Sequence, residues 1–141
     1  MRSGQTTSRL EHVKPVFFLD RGLGRHFVVE AIVAAGYKVK PMTDVYPNGL
    51  DQRVADDEWI ARAAAEGWVA LTKDASIVRD HKDALAASTL RVFALNNANL
   101  TGPQMAERYR TNLNRIVMRA RRPGPDVYVV TRSGLELRWR P

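Results

Sequence analysis

Short apolar runs alternate along the chain with amphipathic stretches whose apolar residues recur at the spacing of one helix face. Four of the apolar runs have the length and composition of strands, and they lie at 16–19, 37–42, 68–71 and 90–95. Helices are predicted in the stretches between and after them, at 25–35, 53–66, within 75–87, and over 103–121. Because strands that alternate with helices are joined by right-handed crossovers, this order predicts an α/β fold with a mainly parallel sheet covered on both faces.

The two ends of the chain depart from this alternation. Apolar-rich stretches at 127–131 and 135–139 flank a short turn at 132–134, which predicts an antiparallel hairpin at the sheet edge or a flap that binds a partner. Residues 1–14 are polar and show no periodicity, which predicts a flexible N-terminal tail. A chain of 141 residues with 45% hydrophobic content supports one core, so we expect a single three-layer α/β/α domain over 15–141.

Composition limits the compartment and the partners of the protein. The chain has no cysteine, which excludes a disulfide framework and a thiolate metal site. No apolar run approaches the ~20 residues that span a bilayer, and the N-terminus lacks a signal-peptide core, so we expect a cytoplasmic protein without a membrane partner. The 22 Lys and Arg residues outnumber the 15 Asp and Glu residues, which gives a formal charge of +7 and favours polyanions as partners. The total charge alone does not distinguish nucleic acid from an acidic protein.

Two aspartates follow two of the predicted strands. Asp20 comes directly after the run at 16–19, and Asp74 comes shortly after the run at 68–71. Ligands of open parallel sheets bind beyond the carboxyl ends of the strands, where the strand order reverses. If the two strands are neighbours, both carboxylates therefore project into one crevice. The alternative is that each aspartate only caps a turn.

A third acid is expected from the helix at 53–66. With ~100° of rotation per residue, Asp57 shares one side of this helix with several apolar residues, which predicts that its carboxylate points along the packed face. Asp56 lies ~100° away and is interpreted as a first-turn acid that the helix dipole favours. A carboxylate that faces the sheet needs a compensating partner, and a metal ion explains Asp20, Asp57 and Asp74 together.

Three carboxylates at one edge of a sheet form the kind of site that binds a hard divalent cation. Mg²⁺ and Mn²⁺ prefer carboxylate oxygens and keep several water ligands, so a few aspartates suffice. Such a cation polarises a phosphate ester and lowers the pKa of a bound water that attacks phosphorus. We therefore expect Asp20, Asp57 and Asp74 to be the metal ligands and catalytic residues of a Mg²⁺- or Mn²⁺-dependent phosphodiester hydrolase.

Three blocks of sequence carry a resemblance to a known family. They are FFLDRGLG at 17–24, ADDEWIA at 55–61 and WVALTKD at 68–74. With them, most of the region 16–100 resembles the PIN-like nuclease superfamily, and specifically the PIN-like toxins of VapC-type toxin–antitoxin systems. The resemblance implies a PIN-like α/β/α fold, metal-dependent cleavage of RNA, and inhibition by a cognate antitoxin protein. The metal-ligand positions of that superfamily match Asp20, Asp57 and Asp74.

The acidic set is smaller than in the larger PIN domains, which carry an additional acid on an early helix. Glu30 and Asp44 are the candidates for that position, although Glu30 also fits a surface helix residue and Asp44 a turn residue. A complete site predicts a metal-dependent endoribonuclease that acts as a toxin. An incomplete site predicts the alternative, a catalytically weak or inactive PIN-like module that binds RNA or the antitoxin. A phosphoryl-transfer enzyme of the haloacid-dehalogenase type is disfavoured, because it requires a second aspartate where Gly22 stands.

Cationic and amide side chains near these aspartates are candidates for binding the RNA. Arg21 and Arg25 follow Asp20 at the mouth of the predicted crevice, where they can hold a phosphate, although Arg21 can equally pair with an acid. Asn97 ends the fourth strand at the same rim and can contact the substrate or cap its own loop. A basic stripe on the last helix fits either the RNA backbone or a solvated face, and it comprises Arg108, Arg115, Arg119 and Arg122. The chain itself is a further candidate partner, as a homo-oligomer.

Overall fold

Six strands form one sheet with helices on both faces, in a computed structural model that describes residues 14–97 and 99–141. The strands are β1 (Val16–Leu19), β2 (Lys38–Pro41), β3 (Val69–Thr72), β4 (Arg91–Leu95), β5 (Asp126–Val130) and β6 (Leu135–Trp139). The helices are α1 (Phe27–Ala34), α2 (Met42–Val45), α3 (Asp56–Glu66), α4 (Ile77–Ala86) and α5 (Gly102–Ala120). The predicted α/β fold is confirmed.

The strand order is β2-β1-β3-β4-β5-β6, in which β1 to β5 are parallel and β6 is antiparallel to β5. The chain passes from β1 outward to β2 and then returns across β1 to β3, so the strand order reverses between β1 and β3. Leu19 of β1 lies beside Leu71 of β3, which brings the residues after both strands to the same edge. The predicted crevice therefore lies at the carboxyl ends of two neighbouring strands.

Each face of the sheet carries its own hydrophobic layer, because successive side chains of a strand point to opposite faces. Phe17 and Leu19 join the layer under α1 and α5, whereas Phe18 joins the layer under α3 and α4. The Phe18 ring stacks with Trp59 of α3 and with Trp68, at centroid distances of 5.2 and 5.9 Å. These aromatic contacts fix the start of α3 against β1.

Several helix boundaries differ from the predicted ones because the chain turns before entering the helix. Two short 3₁₀ turns, Arg21–Leu23 and Leu50–Gln52, precede α1 and α3, which begin at Phe27 and Asp56. The sequence pattern does not predict α2, a helix of one turn directly after β2. Helix α4 contains one residue outside helical geometry, His81, with φ −136° and ψ 33°.

The two ends of the chain have different outcomes. The hairpin of β5 and β6 lies at the edge of the sheet, as the C-terminal pattern predicts. The predicted tail at 1–14 lies outside the described residues except for Lys14, whose ammonium group donates to Gly36 O at 3.3 Å. The domain boundary at residue 15 stays a prediction. Within the described ranges, every helix is too short or too polar to cross a membrane.

Candidate active site

Asp20 is held at the end of β1 by hydrogen bonds on both sides of its carboxylate. Its backbone N–H donates to Leu71 O at 3.1 Å, which continues the pairing of β1 with β3 beyond the strand. One carboxylate oxygen, Oδ1, caps the following turn by accepting from the Arg21 N–H at 2.6 Å. The other oxygen, Oδ2, accepts from the Thr72 hydroxyl at 2.8 Å. Asp20 therefore caps a turn and is also tied to the neighbouring strand.

Burial raises the pKa of Asp20 above its ordinary value, and the nearby carboxylate of Asp56 acts in the same direction. Hydrogen bonds from Thr72 and Arg21, together with the charge of Arg21, lower this pKa. The net pKa is raised because the loss of hydration outweighs these favourable contacts. A partly buried carboxylate with a second carboxylate beside it is a position where a cation is stabilising.

Thr72 connects Asp20 with Asp74 and is itself fixed from the protein interior. The backbone N–H of Asp74 points to the Thr72 hydroxyl oxygen at 3.5 Å. The fully buried Tyr109 hydroxyl of α5 bridges the backbone carbonyls of Thr72 on β3 and of β4, with 2.9 Å to each. Asp74 is exposed, and its Oδ1 accepts from the Ser76 N–H at 2.8 Å just before α4. The two predicted site residues that follow strands therefore belong to one network.

The predicted orientation of Asp57 is wrong, and its neighbour Asp56 occupies the packed side of α3. The buried residues of this helix are Trp59, Ile60 and Ala63, which follow Asp56 at the spacing of one helix face. The Asp56 Oδ1 accepts from the Trp59 indole N–H at 2.8 Å, whereas the Asp57 side chain is 68% exposed. The predicted face is displaced by about one residue, because the large rings of the core decide the packing and the small alanines do not.

His81 of α4 contacts both acids at the start of α3. Its Nε2 lies 3.0 Å from Asp56 Oδ2, and its Nδ1 lies 2.7 Å from Asp57 Oδ1. The residue that makes both contacts is also the one at which α4 leaves helical geometry. His81 therefore links α4 to both acids in the first turn of α3.

Arg21 holds the loop that leads into α3. Its Nε donates to Asp51 O at 2.9 Å, and one terminal nitrogen donates to Val54 O at 2.8 Å. The other terminal nitrogen lies 3.8 Å from Asp56 Oδ1. Of the two predicted roles for Arg21, these contacts favour the pairing with an acid.

Arg25 and Asn97, the other two candidate substrate ligands, are both exposed. The Asn97 Oδ1 accepts from the Asn99 N–H at 2.9 Å, so this side chain caps its own loop. The neighbouring Asn96 accepts a hydrogen bond from Arg108 of α5 at 3.2 Å, which places the first arginine of the basic stripe at the same rim. Substrate binding by any of the three candidates stays a prediction.

The oxygen donors at this rim have the chemistry that a hard divalent cation requires. The charge of Asp56 raises the pKa of Asp20, and a cation bound at this rim would relieve that repulsion. Among the described residues, no three acidic or histidine side chains form a ready-made ligand set. Mg²⁺ commonly uses one or two carboxylates and completes its shell with water and phosphate oxygens, so such a set is not required. Glu30 and Asp44, the candidates for a fourth acid, are both exposed.

Three residues of this network are not among the predicted site residues. Asp56 has a readable signal, since it precedes the large apolar residues Trp59 and Ile60 by three and four positions. Thr72 directly follows the predicted strand at 68–71 and is the last residue of β3, but a hydroxyl there fits many local roles. His81 has no signal in the sequence, because its contacts depend on the irregular backbone of α4.

Comparisons with known proteins agree with this architecture. The family described as "PIN like domain" matches residues 15–97, a range that spans β1 to β4 and holds Asp20, Asp56 and Asp74. A protein of Mycobacterium tuberculosis named "Putative ribonuclease VapC45" is 34% identical over 123 residues, which are 86% of this chain and 86% of that protein. No solved structure matches the chain. From the family match and this level of identity, the chain belongs to the PIN-like domain family.

Proposed function

We propose that the protein is a metal-dependent endoribonuclease that serves as the toxin of a type II, VapBC-like toxin–antitoxin system. The observation that carries the proposal is the position of Asp20 where the strand order reverses, with Asp74 joined to it through Thr72 and Asp56 joined to it through Arg21. Membership of the PIN-like domain family supports a nuclease. The Mycobacterium tuberculosis relative carries the name of a ribonuclease of the VapC type, which supports RNA as the substrate and a toxin as the role.

We assign Mg²⁺ or Mn²⁺ to the carboxylates of Asp20, Asp56 and Asp74. Asp56 replaces the predicted Asp57 in this assignment, because Asp56 lies on the packed side of α3 and shares Arg21 with Asp20, whereas Asp57 is exposed. Asp57 stands beside the site, through its contact with His81. When bound, the cation supplies a water of lowered pKa and stabilises negative charge on the phosphodiester that is cleaved.

The residues of the chain orient these carboxylates. Thr72 and the Arg21 N–H each hold one oxygen of Asp20, so its carboxylate keeps a fixed plane. His81 and Trp59 do the same for Asp56. In this proposal the exposed Arg25 and Asn97 contact RNA next to the scissile phosphate.

The proposal includes a protein partner and a compartment. A toxin of this type is held inactive by a cognate antitoxin, which we expect to be encoded in a small reading frame beside the gene for this chain. Both the RNA and the antitoxin place the protein in the cytoplasm. Induced expression of the chain should arrest bacterial growth, and coexpression of that neighbouring frame should restore it.

Cleavage of mixed RNAs by the purified protein tests the enzyme directly. We expect cleavage with Mn²⁺, none with a chelator, and none by the Asp20→Asn variant in either condition. Glu136→Gln is the matched control, because it removes an exposed carboxylate from β6, and it should cleave as the wild type does. Cleavage that survives the chelator, or full activity of Asp20→Asn, would contradict the proposal. Binding of RNA without any cleavage would support the catalytically inactive module instead.

A further inference from the structure

A cleft of about 600 Å³ opens beside Asp74, between α4 and the C-terminal hairpin. Its walls come from the loop after β3, the first half of α4, the end of β4, and β6. Asp74 is its only acidic lining residue among the described parts of the chain. We call it the basic cleft after its four cationic lining residues, Lys73, Arg79, Lys82 and Arg138. Walls of this charge concentrate a polyanion near the cleft.

The basic cleft is continuous with the acidic rim through Lys73. A Cβ atom added to Gly22 would lie 3.2 Å from the Lys73 Cβ, so the stem of this lysine lies against the turn that Asp20 caps. Lys73 also directly precedes Asp74 in the chain. The cleft therefore adjoins both Asp74, which lines it, and the turn that follows Asp20.

Most of the positive charge in the basic cleft is available to a ligand. Lys82 and Arg138 are exposed, and Lys73 is partly exposed. Within the described residues, none of these three forms an ion pair with a carboxylate. Arg79 differs, because it pairs with Asp80 at 2.9 Å.

Most of the basic stripe of α5 lies outside the basic cleft and is therefore a weaker candidate for binding RNA next to the carboxylates. Arg91 begins β4 and donates to Ala120 O at the end of α5, so the last turns of α5 lie at the amino ends of the parallel strands. The helix has 19 residues, which corresponds to a length of roughly 28 Å. Arg115, Arg119 and Arg122 line a separate cleft together with Gly134 and Leu135 of the hairpin, and Arg119 covers the Tyr128 ring at 5.0 Å. None of Asp20, Asp56 and Asp74 is among the described lining residues of this second cleft, whereas Asp74 lines the basic cleft.

We propose that single-stranded RNA crosses the protein along the basic cleft, with Lys82 and Arg138 binding phosphates on one side of the scissile bond. Lys73 then guides the chain from the cleft to the carboxylates. This inference rests on the proposed nuclease function for the choice of RNA as the polyanion. It gives the C-terminal hairpin, which lies outside the family match at 15–97, a part in substrate binding.

RNA binding measured in the presence of a chelator tests this route without cleavage. The probe is a fluorescent single-stranded RNA of mixed sequence, whose anisotropy is followed at several salt concentrations. Lys82→Ala/Arg138→Ala should weaken binding about tenfold at ~0.1 M salt and lower the slope of log affinity against log salt by about 1.4, at ~0.7 for each phosphate contact. The matched control, Arg115→Ala/Arg122→Ala, removes the same charge from the α5 stripe and should keep the wild-type slope.

Further variants distinguish an effect of lost charge from an effect of misfolding. Comparing binding with cleavage distinguishes the RNA route from the nuclease activity. Lys82→Arg/Arg138→Lys keeps both charges and should restore most of the affinity, and all variants should melt as the wild type does because these side chains are exposed. An unchanged slope for the cleft variant, a larger loss in the stripe variant, or no RNA binding by the wild type overturns the inference. Cleft-dependent binding by a protein that never cleaves RNA supports the route and contradicts the nuclease.

Discussion

Asp20 lies at the carboxyl end of β1, and Asp126 lies at the amino end of β5. The pKa of both carboxylates is raised mainly by burial, but the charged groups around them differ. Asp126 begins β5 among cations, since Arg140 lies 3.8 Å away and two further arginines also lower its pKa. Asp20 ends β1 with a second carboxylate, Asp56, as a neighbour that raises its pKa further.

The difference indicates which end of the sheet is built for a ligand. At the amino ends of the strands, arginines surround the buried Asp126, whose Oδ1 has no hydrogen-bond partner among the described residues. At the carboxyl ends, both carboxylate oxygens of Asp20 accept hydrogen bonds, and the charge of Arg21 lowers its pKa whereas the charge of Asp56 raises it. We infer that a cation binds at the Asp20 end of the strands, because a second carboxylate there opposes the ionisation of the first.

The largest difference between the two acids is expected in the rate of RNA cleavage, when each is replaced by asparagine. Asp20→Asn should lower the Mn²⁺-dependent rate by more than ~100-fold, because loss of a residue that merely supports a ligand already costs ~10–100-fold. Asp126→Asn should cleave at close to the wild-type rate, since it lies at the other end of the strands. Initial rates on one RNA at saturating Mn²⁺ make the comparison. Equal losses in the two variants would remove the distinction between the ends.

The choice between Asp56 and Asp57 should appear in the Mn²⁺ dependence of cleavage. Asp56→Asn should raise the Mn²⁺ concentration for half-maximal cleavage by at least ~10–100-fold, because the proposal makes its carboxylate a metal ligand and loss of a supporting residue already costs that much. Asp57→Asn is the control with the same change one residue along, and its exposed side chain should make the shift small. A larger shift for Asp57→Asn than for Asp56→Asn would contradict this choice and support Asp57 as the metal ligand that the sequence predicts.

Thr72 should matter less than the carboxylate that it orients. Thr72→Val keeps the shape of the side chain and removes the hydrogen bond to Asp20 Oδ2, so we expect about a tenfold loss of cleavage. Thr89→Val removes an exposed hydroxyl and serves as the control. A Thr72 variant with the wild-type rate and wild-type Mn²⁺ dependence would show that Asp20 does not need this contact.

The smallest effect is expected in the pH dependence of folding stability. Both acids have a raised pKa in the folded state, so each contributes stability that is fully present below the ordinary carboxyl pKa and lost as pH rises through the folded pKa. Urea unfolding of the metal-free protein across the acidic pH range should therefore show that the free energy of unfolding falls as pH rises. This fall should be smaller in either Asn variant. Mn²⁺ should remove the contribution of Asp20 and leave that of Asp126. If Mn²⁺ changed the stability contributions of Asp20 and Asp126 equally, the proposed difference between the two ends of the strands would be contradicted.

The sequence predicts the fold well because local features decide it. The apolar run before Asp20 becomes β1, and Gly67 ends α3 with φ 76°, a conformation that glycine adopts without strain. Positions at strand ends are set by the same pattern, so the neighbourhood of Asp20 and Asp74 is predictable. The Asp57 orientation is not, because a rotation of one residue depends on how Trp59 packs against β1.

Contacts between distant elements are the part that the sequence does not predict. His81 reaches α3 from an irregular turn of α4, and nothing in its spacing indicates this. Arg138 lines the basic cleft because β5 pairs with β4 and the hairpin then places β6 next to β5. Such residues are identified by tertiary packing and not by local pattern.

Binding of Mn²⁺ in the absence of RNA tests the central claim most directly. The signal of free Mn²⁺ in electron paramagnetic resonance, followed during titration of metal into protein, reports binding without any need for activity. The wild type and Asp126→Asn should deplete the free Mn²⁺ signal alike, and Asp20→Asn should leave it close to that of buffer. Equal depletion by the wild type and Asp20→Asn, or none by the wild type, would contradict the assignment of the metal to the carboxyl-end rim.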